Sequence, residues 1–321
     1  MARRKDDPDR TADLIARAIQ LEEEDAKAAG AVGFMARALV QATMPHRRTD
    51  AGRFVRRNGG YTLSMVAMQE DTGLPFGAMP RHLMQWIVTE AKRTGERRLV
   101  LGATLTEFLR KLGHGKQGGP HSPAKRVKDQ TDRLLSCGVA ASYRDDTREQ
   151  RAQFVLVDGA DLWWTPVRDR PADAAERTRL WCSTLVLSER FFREIHDHGV
   201  PVDLRVLQDP AIRQSPLAID LYAWLTHRFY TLSQPTIVPW ESLRAQFGGS
   251  YADTPQGRRD FRRELLRRVR DVLALYPEAN VQEAPDGLEL RPSPTHVPPT
   301  APRRTLPSAP PMPDGDGWGL P

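Results

Sequence analysis

The chain has 321 residues, 40% hydrophobic and 27% charged, with 47 lysines and arginines against 41 acidic residues and a net charge of +6. This composition and length indicate a globular protein of about two domains and exclude a largely disordered chain. No run approaches eighteen apolar residues, so we expect no membrane span. No apolar segment follows the charged amino terminus, so we expect no secretory signal. Two cysteines, Cys137 and Cys182, are too few for a disulfide framework or a four-ligand zinc site, which favours a cytoplasmic protein.

The first sixty residues predict a helical and basic arm that is partly flexible. A narrow apolar stripe precedes Gly30 and a short helical pattern covers 34–39, while the basic, glycine-containing stretch 46–57 predicts a loop. The stripe consists of Leu14, Ile15, Ala18 and Leu21. Two interpretations stay open for 1–60: an arm that binds a partner, or a loosely packed helix.

Two similar series of elements follow the arm. The first series predicts a helix at 80–96, a strand at 97–102, helices at 104–113 and 122–138, and then two alternating strands. The second predicts a helix at 215–232, a strand at 236–240, helices at 241–248 and 254–277, and a hairpin around 285–287. Helix, strand, helix, helix and hairpin is the order of a winged helix-turn-helix. We therefore expect an α+β, mainly α protein with two tandem winged helix-turn-helix domains, at 61–180 and 181–295.

Local signals mark the ends of these elements. Ser122–Pro123, Ser215–Pro216 and Thr254–Pro255 each place a hydroxyl before a proline, which is typical of a helix start. Asp286–Gly287 is a strong signal for a two-residue hairpin turn. Ten prolines between 292 and 321, without apolar periodicity, predict a disordered tail, which we place at 296–321.

The 254–277 segment carries the clearest functional signal. Seven arginines fall between 258 and 270. At 100° per residue, four of them occupy one side of the helix within about 80°, opposite an apolar stripe, and the acidic residues fall at the flank. These four are Arg259, Arg263, Arg267 and Arg270. Such a row suits phosphate oxygens and guanine edges, so we predict DNA contacts from these four residues and from Arg258. The alternative is an exposed basic face with no partner.

The 122–138 helix repeats this pattern more weakly. Its outward side combines basic residues with Asp129, and its amino terminus follows a glycine-rich turn that suits a phosphate contact. The residues predicted to contact DNA here are Lys116, Lys125, Arg126, Lys128 and Arg133. A purely structural helix is the alternative.

Several motifs point to enzymes but lack the context that those enzymes need. GHGKQG (113–118) matches a dinucleotide fingerprint, yet it leaves a helix rather than a strand and predicts only a flexible turn. No GxxxxGK[ST] phosphate loop exists, and Ser122-x-x-Lys125 has no partner motif of a serine acylase. We expect no nucleotide cofactor and no bound metal.

The His196–Asp197–His198 segment resembles the metal-binding histidine pair of rolling-circle nickases, but an aspartate replaces the apolar middle residue. The tryptophans predict core positions more than base-stacking platforms; they are Trp86, Trp163, Trp164, Trp181, Trp224 and Trp240. Nothing assembles a nucleophile, a base and an orienting group, so no enzyme is expected.

Longer strings resemble plasmid replication initiators of the RepA type, in order and at natural spacing across about 60–297. They are GLPFGAMPRHLMQWIVTEA (73–91), LVLGATLTEFLRKLG (99–113), LWCSTLVLSERFFREI (180–195), VPVDLRVL (200–207), SPLAIDLYAWLTHRFY (215–230), IVPWESLRAQFG (237–248) and DGLELRPSPTHV (286–297). The first sixty residues and the proline-rich tail fall outside the resemblance, so nothing carries over to them.

The resemblance implies a bacterial, plasmid-associated protein that binds repeated origin sequences, called iterons, in double-stranded DNA. It implies opening of an adjacent AT-rich region and recruitment of the host replication initiator and the replicative helicase. It further implies tandem winged helices with DNA contacts in helices such as 122–138 and 254–277, and in some members a homodimer that represses its own promoter. A winged-helix transcriptional regulator without an initiation role is the alternative; a nicking initiator would need an intact histidine pair and a nucleophilic tyrosine.

Overall fold

The computed structural model describes residues 17, 26, 29–69, 71–113, 123–144, 147, 149–162 and 183–298. They form two compact units, the first running from Phe34 to Gly199 and the second comprising the residues up to Gly33 together with those from Val200 onward. The division between the units falls after residue 199, and the domain boundary predicted from the sequence lies after residue 180. Residues 34–60 belong to the first unit rather than to a separate arm.

The first unit contains helices and strands in mixed order. Its elements are α1 (Arg37–Gln41), β2 (Arg53–Asn58), β3 (Tyr61–Ala67), α2 (Met79–Thr94), β4 (Arg98–Gly102), α3 (Leu105–Lys111), α4 (Pro123–Leu135), β5 (Cys137–Arg144), β6 (Glu149–Val155), β7 (Val157–Asp161), β8 (Ser183–Leu187) and α5 (Glu189–His198); β1 (Val32–Met35) lies at the division between the units.

Two antiparallel sheets organise this unit, one with the strand order β2-β3-β5-β6 and the other β4-β8-β7. In the four-stranded sheet, Leu63 of β3 lies opposite Ala141 of β5, and both are buried with Met65. This buried face belongs to the same hydrophobic core as Leu83 and Val88 of α2. One face of the sheet therefore packs on the core, as expected for an antiparallel sheet.

The second unit contains β9 (Val200–Asp203), α6 (Leu204–Gln208), α7 (Pro216–Thr231), β10 (Thr236–Pro239), α8 (Trp240–Phe247), α9 (Pro255–Leu275), β11 (Val281–Ala284) and β12 (Gly287–Leu290). Its sheet has the order β10-β12-β11, so the strand between α7 and α8 pairs with the last strand of the unit. Tyr222, Phe247, Phe261 and Leu290 are buried in this unit. None of the described helices combines the length and the apolarity needed to cross a lipid bilayer.

The predicted series of elements is confirmed in both units. Helices predicted at 80–96 and 254–277 occupy Met79–Thr94 and Pro255–Leu275. The second alternating run of the first series, QFVLVDG (153–159), is divided between β6 and β7. Ser215 and Thr254 act as N-caps, since their side chains accept hydrogen bonds from the backbone N–H groups of Ala218 and Gly257. Ser122 lies outside the described residues.

Two local predictions are wrong. Residues 34–39 do not form one helical pattern, because β1 ends at Met35 and α1 begins at Arg37. The stretch 46–57 is not all loop, because β2 begins at Arg53 and pairs with β3. These strands raise the strand content, so the fold is a mixed α/β arrangement rather than mainly α. β2 pairs with the neighbouring β3, and β3 pairs in turn with β5 far along the chain, a partner that the local pattern does not contain.

The turn between β11 and β12 differs by one residue from its prediction. Ala284 pairs with Gly287, so Pro285 and Asp286 form the two-residue loop and Gly287 is the first residue of β12. Glycine is needed there because a Cβ atom at this position would lie 2.0 Å from the carbonyl oxygen of Val238 in β10. Close strand approach, not a positive φ, accounts for this glycine.

The chain after β12 is packed, which corrects the predicted start of the tail at 296. Val297 is 1% exposed, and the His296 ring stacks on Tyr276 with centroids 4.5 Å apart. The Tyr222 hydroxyl lies 2.8 Å from Nδ1 of His296, and Tyr276 donates a hydrogen bond to the Pro294 carbonyl. Residues 299–321, the rest of the predicted tail, lie outside the described part of the chain.

The surroundings of the buried His296 imidazole favour its neutral form. The backbone N–H of Asp203 donates to the Tyr222 oxygen at 2.9 Å, which leaves the Tyr222 hydroxyl to donate to Nδ1 of His296. Burial lowers the pKa of His296, and the positive charge of Arg205 lowers it further. The carboxylates of Asp203 and Glu278 favour the charged ring but do not overcome burial.

We predict that His296 makes the stability of the protein depend on pH. The unfolded chain binds a proton with a histidine pKa of about 6.5, whereas the folded pKa is lower. The contribution of the neutral His296 ring to the free energy of unfolding is therefore present above about pH 6.5 and is lost as the pH falls below this value. Between pH 7.5 and 5.5, the urea-derived free energy of unfolding should fall by about 1 kcal/mol more in the wild type than in His296→Asn. Equal losses in the two proteins would contradict this assignment.

Candidate nucleic-acid interface

Helix α9 is fixed to the second unit by its apolar side. Phe261, Leu265, Val272 and Leu275 are at most 2% exposed. At the start of the helix, a Cβ atom at Gly257 would lie 2.1 Å from the carbonyl oxygen of Ala252. The backbone of the preceding turn therefore packs directly on the first turn of the helix. The direction of every other side chain of α9 follows from this anchoring.

The opposite side of α9 carries the predicted arginine row. Arg259, Arg263, Arg267 and Arg270 are all exposed. The Arg259 guanidinium donates to the Gln256 side chain at 3.0 Å, and Arg270 forms no ion pair with another residue that the structure describes. The structure therefore leaves the four guanidinium groups accessible to solvent.

Acidic residues reach this row, which corrects the expectation that they stay at its flank. Arg263 pairs with Asp260 at 2.5 Å, and Arg267 pairs with Glu264 at 2.8 Å. Burial raises the pKa of Glu264, but hydrogen bonds from Arg267 and from a second arginine outweigh it, so the net pKa is lowered. Side-chain reach at i,i+3 spacing brings these groups together even though their helix positions differ.

These pairs do not remove the row as a binding surface. The side chains of Arg263 and Arg267 remain 75% and 46% exposed. Exposed pairs of this spacing stabilise a helix by only about 0.2–0.5 kcal/mol, whereas hydrogen bonds to a charged group contribute about 1.5–3 kcal/mol. A phosphate can therefore displace the carboxylates from these guanidinium groups.

The remaining arginines of α9 have structural partners. Arg258 is exposed but pairs at 3.0 Å with Asp253, which also binds the largely buried Arg244. Arg268 pairs with Glu264 and Asp271 and is only 17% exposed. Arg258 thus lies beside the row rather than within it, and Arg268 is held by two acids of its own helix with little of its side chain exposed.

Arg262 joins α9 to the hairpin of β11 and β12, an arrangement that the sequence analysis missed. Its guanidinium lies 4.3 Å from the centre of the Trp240 ring and 2.6 Å from the Glu283 carboxylate. Trp240 also donates from its indole N–H to the Pro285 carbonyl. The prediction of a core position is therefore wrong for Trp240, although Trp86 and Trp224 are buried as expected. Nothing in the residues around Trp240 or Glu283 predicts that both side chains contact the same arginine.

Helix α4 of the first unit presents a smaller basic surface. Lys125, Arg126 and Lys128 are exposed and form no salt bridge with another described residue. Arg133 is different, because its side chain is 13% exposed and pairs with Asp129 at 2.9 Å.

The Arg133 guanidinium is held by the first unit itself. It lies 5.4 Å from the centre of the Phe76 ring, and it donates to the Leu74 carbonyl at 3.4 Å. Little of the Arg133 guanidinium is therefore accessible to an external partner. Lys116, with the rest of the 114–122 turn, lies outside the described residues, as do Trp163, Trp164 and Trp181.

The His196–Asp197–His198 segment ends α5. His196 is exposed and stacks on Phe192 at 5.9 Å, and its carbonyl oxygen accepts a hydrogen bond from Lys92 at 2.5 Å. Burial and then the positive charge of Arg37 lower the pKa of His198. Within the described ranges, no three histidine, cysteine or acidic residues come together as metal ligands.

Comparison with solved structures gives similarities to two crystal structures of domains 2 and 3 of RctB. The selenomethionine derivative superimposes with a TM-score of 0.50 at 12% identity, covering 79% of this chain and 97% of that one. The second has a TM-score of 0.45 at 13% identity, with 79% and 96% coverage. The first similarity shows a shared fold alone. No curated protein matches the sequence.

Comparison with protein families gives a match to the model described as plasmid-encoded RepA protein, over residues 74–240. The match spans most of the first unit and reaches the first residue of α8, so α9 lies beyond it. Because the matched segment exceeds half of the 321 residues, the chain belongs to the plasmid-encoded RepA family of replication initiators.

Proposed function

We propose that this protein starts plasmid replication by binding repeated origin sequences in duplex DNA, in the bacterial cytoplasm. The observation that carries the proposal is the exposed row of Arg259, Arg263, Arg267 and Arg270 on a helix whose other side is buried. Family membership supplies the biological setting, since the family consists of plasmid replication initiators. The protein would then open an adjacent AT-rich region and recruit the host initiator and the replicative helicase.

The proposal includes a winged helix in each unit. In the second unit, α7, β10, α8, α9 and the β11–β12 hairpin follow in that order, and β10 pairs with β12. These features support a winged helix-turn-helix in which α9 is the recognition helix. The first unit has the same order from α2 to β6, but β4 pairs with β8 instead of with the hairpin. We assign α4 the same role in a modified winged helix.

The chemistry of α9 suits both parts of DNA recognition. A recognition helix lies in the major groove, where an arginine can bind guanine O6 and N7 with two hydrogen bonds. Neighbouring guanidinium groups along the same row can bind phosphates and fix the register of the helix. Arg262 and Trp240 hold the hairpin against α9 and thereby set the direction from which the row approaches the duplex.

We expect that Arg263 and Arg267 each neutralise one phosphate. Replacing both by alanine should reduce the magnitude of the slope of log K against log[salt] by about 2, since each phosphate contact contributes about 0.9. Fluorescence anisotropy with labelled duplexes at several salt concentrations measures this slope.

The matched control is Arg93→Ala with Arg193→Ala, which removes two exposed arginines that pair with acids of their own helices. This control should leave the slope unchanged. Equal slopes in the Arg263/Arg267 variant and the wild type would remove α9 from the interface.

The initiator role predicts a specific footprint. On the DNA that flanks the gene, hydroxyl-radical footprinting should show protected direct repeats at regular spacing beside an AT-rich stretch. Permanganate should then detect unpaired thymines in that stretch when the protein and the host initiator are present. A single protected operator overlapping a promoter, without opening, would instead support a winged-helix transcriptional regulator.

We further propose that the protein acts without cutting DNA. The middle residue of the nickase histidine pair is apolar, whereas here it is the charged Asp197. Supercoiled origin plasmid incubated with the protein and Mg²⁺ should therefore remain supercoiled on an agarose gel. Strand-specific cleavage with the protein joined to DNA through a tyrosine would refute this expectation.

A further inference from the structure

The outward face of the β2-β3-β5-β6 sheet is a second basic surface in the first unit. Along β2, Arg53, Val55 and Arg57 are exposed, while Phe54 and Arg56 on the opposite face are more buried. β3 and β5 alternate in a similar way, with the hydrophobic residues turned to the core, except that Ser64 on the solvent side of β3 is buried beneath Arg53. We call the solvent side of this sheet the outer face.

The strand register places two arginines at opposite edges of one row on the outer face. Arg57 lies opposite Thr62, Thr62 opposite Ser142, and Ser142 opposite Arg151. Since neighbouring strands are about 4.8 Å apart, three spacings separate the backbones of Arg57 and Arg151 by about 14 Å. Two hydroxyl groups lie between them, and neither hydrogen-bonds to another described residue.

The row lies near the turn that joins β2 to β3, and this end of the sheet is tightly built. The Arg144 N–H donates to the Gly60 carbonyl at 3.0 Å, and a Cβ atom at Gly60 would lie 2.2 Å from the Arg144 carbonyl oxygen. Asn58 adds a hydrogen bond from its side chain to the Gln41 carbonyl. The basic side chains thus stand on a backbone that is fixed by hydrogen bonds.

The outer face has a strong excess of positive charge. Arg53, Arg57, Arg144 and Arg151 project from it, and the single acid among the outward residues of these four strands is Glu149. Glu149 accepts from both Arg144 and Arg151, whose side chains are still 69% and 70% exposed. Hydrogen bonds from these two arginines lower the pKa of Glu149, so it stays ionised and neutralises one charge.

The centre of the outer face is shallow, because its residues are small. Ser64, Gly138, Ala140 and Ser142 occupy the middle strands. The Arg53 side chain hydrogen-bonds to Ser64 and the Met68 side chain lies over Gly138, so these two long, flexible side chains border the small residues. Guanidinium forks with intervening hydroxyl donors match the oxygens of a phosphodiester backbone, and contacts of this kind position a protein without reading sequence. The separation of about 14 Å corresponds to about four base-pair steps of 3.4 Å.

We propose that the outer face binds the phosphate backbone of duplex DNA and adds sequence-independent affinity to the contacts of the recognition helices. This inference rests on the proposed function, since it assumes that the protein binds DNA. It assigns new roles to Arg57 and Arg151 as phosphate ligands and to Glu149 as a residue that restrains the affinity.

Two variants that should change the DNA affinity in opposite directions test the proposal. Arg57→Ala with Arg151→Ala should reduce the magnitude of the salt slope by about 2 and weaken binding at least about tenfold at 100 mM salt. Glu149→Gln should strengthen binding about threefold, because it frees two guanidinium groups. The probes are a 40-base-pair duplex enriched from a random pool by the full-length protein and an unrelated duplex of the same length. Both variants should change the affinities for the two duplexes by equal factors.

Three comparisons make the outcome decisive. The Arg93/Arg193 double variant controls for the loss of two charges, and circular dichroism melting shows whether each variant is folded. The Arg263/Arg267 variant is measured on the same duplexes. If it weakens binding and the outer-face variants do not, the outer-face proposal alone is overturned; if no variant has an effect, the proposed function fails as well. Unchanged DNA binding with an altered sedimentation mass would overturn the proposal in favour of a protein interface.

Discussion

Burial of the apolar side of α9 is the constraint on which the rest of the interface depends. Phe261, Leu265 and Val272 can only be removed from water by packing on the second unit, and this fixes the rotation of the helix about its axis. Once that rotation is fixed, Arg259 and Arg263 must point away from the core. The arginine row is thus a consequence of the hydrophobic core, and its direction is as rigid as the packing beneath it.

The arginines of α9 differ in role because their surroundings differ. Arg262 and Arg268 each have partners within the unit, and the side chain of Arg268 is largely buried, so these two contribute to its structure. Arg263 and Arg267 pair with partly exposed acids of the same helix while their own side chains stay 75% and 46% exposed. A count of basic residues would treat all of them alike, whereas the exposure of each guanidinium separates the arginines held by the unit from those open to an external partner.

Much of the fold is local in origin and was therefore predictable. The 3.6-residue period, the N-caps Ser215 and Thr254, and the element order of the second unit all follow from neighbouring residues. The sheets of the first unit are not local, since β3 pairs with β5 and β4 with β8 across long stretches of chain. Helical periodicity likewise predicted the arginine row, but it could not show that Phe76 would cover Arg133.

The packed segment after β12 determines how the second unit can be isolated. A fragment ending at residue 295 would lack the imidazole that fills the space beside Tyr276 and the Val297 side chain that closes the hydrophobic core. Such a fragment would expose aromatic surface and tend to aggregate during expression. Recombinant boundaries for this unit therefore belong beyond residue 298, where an affinity tag would leave the aromatic cluster intact.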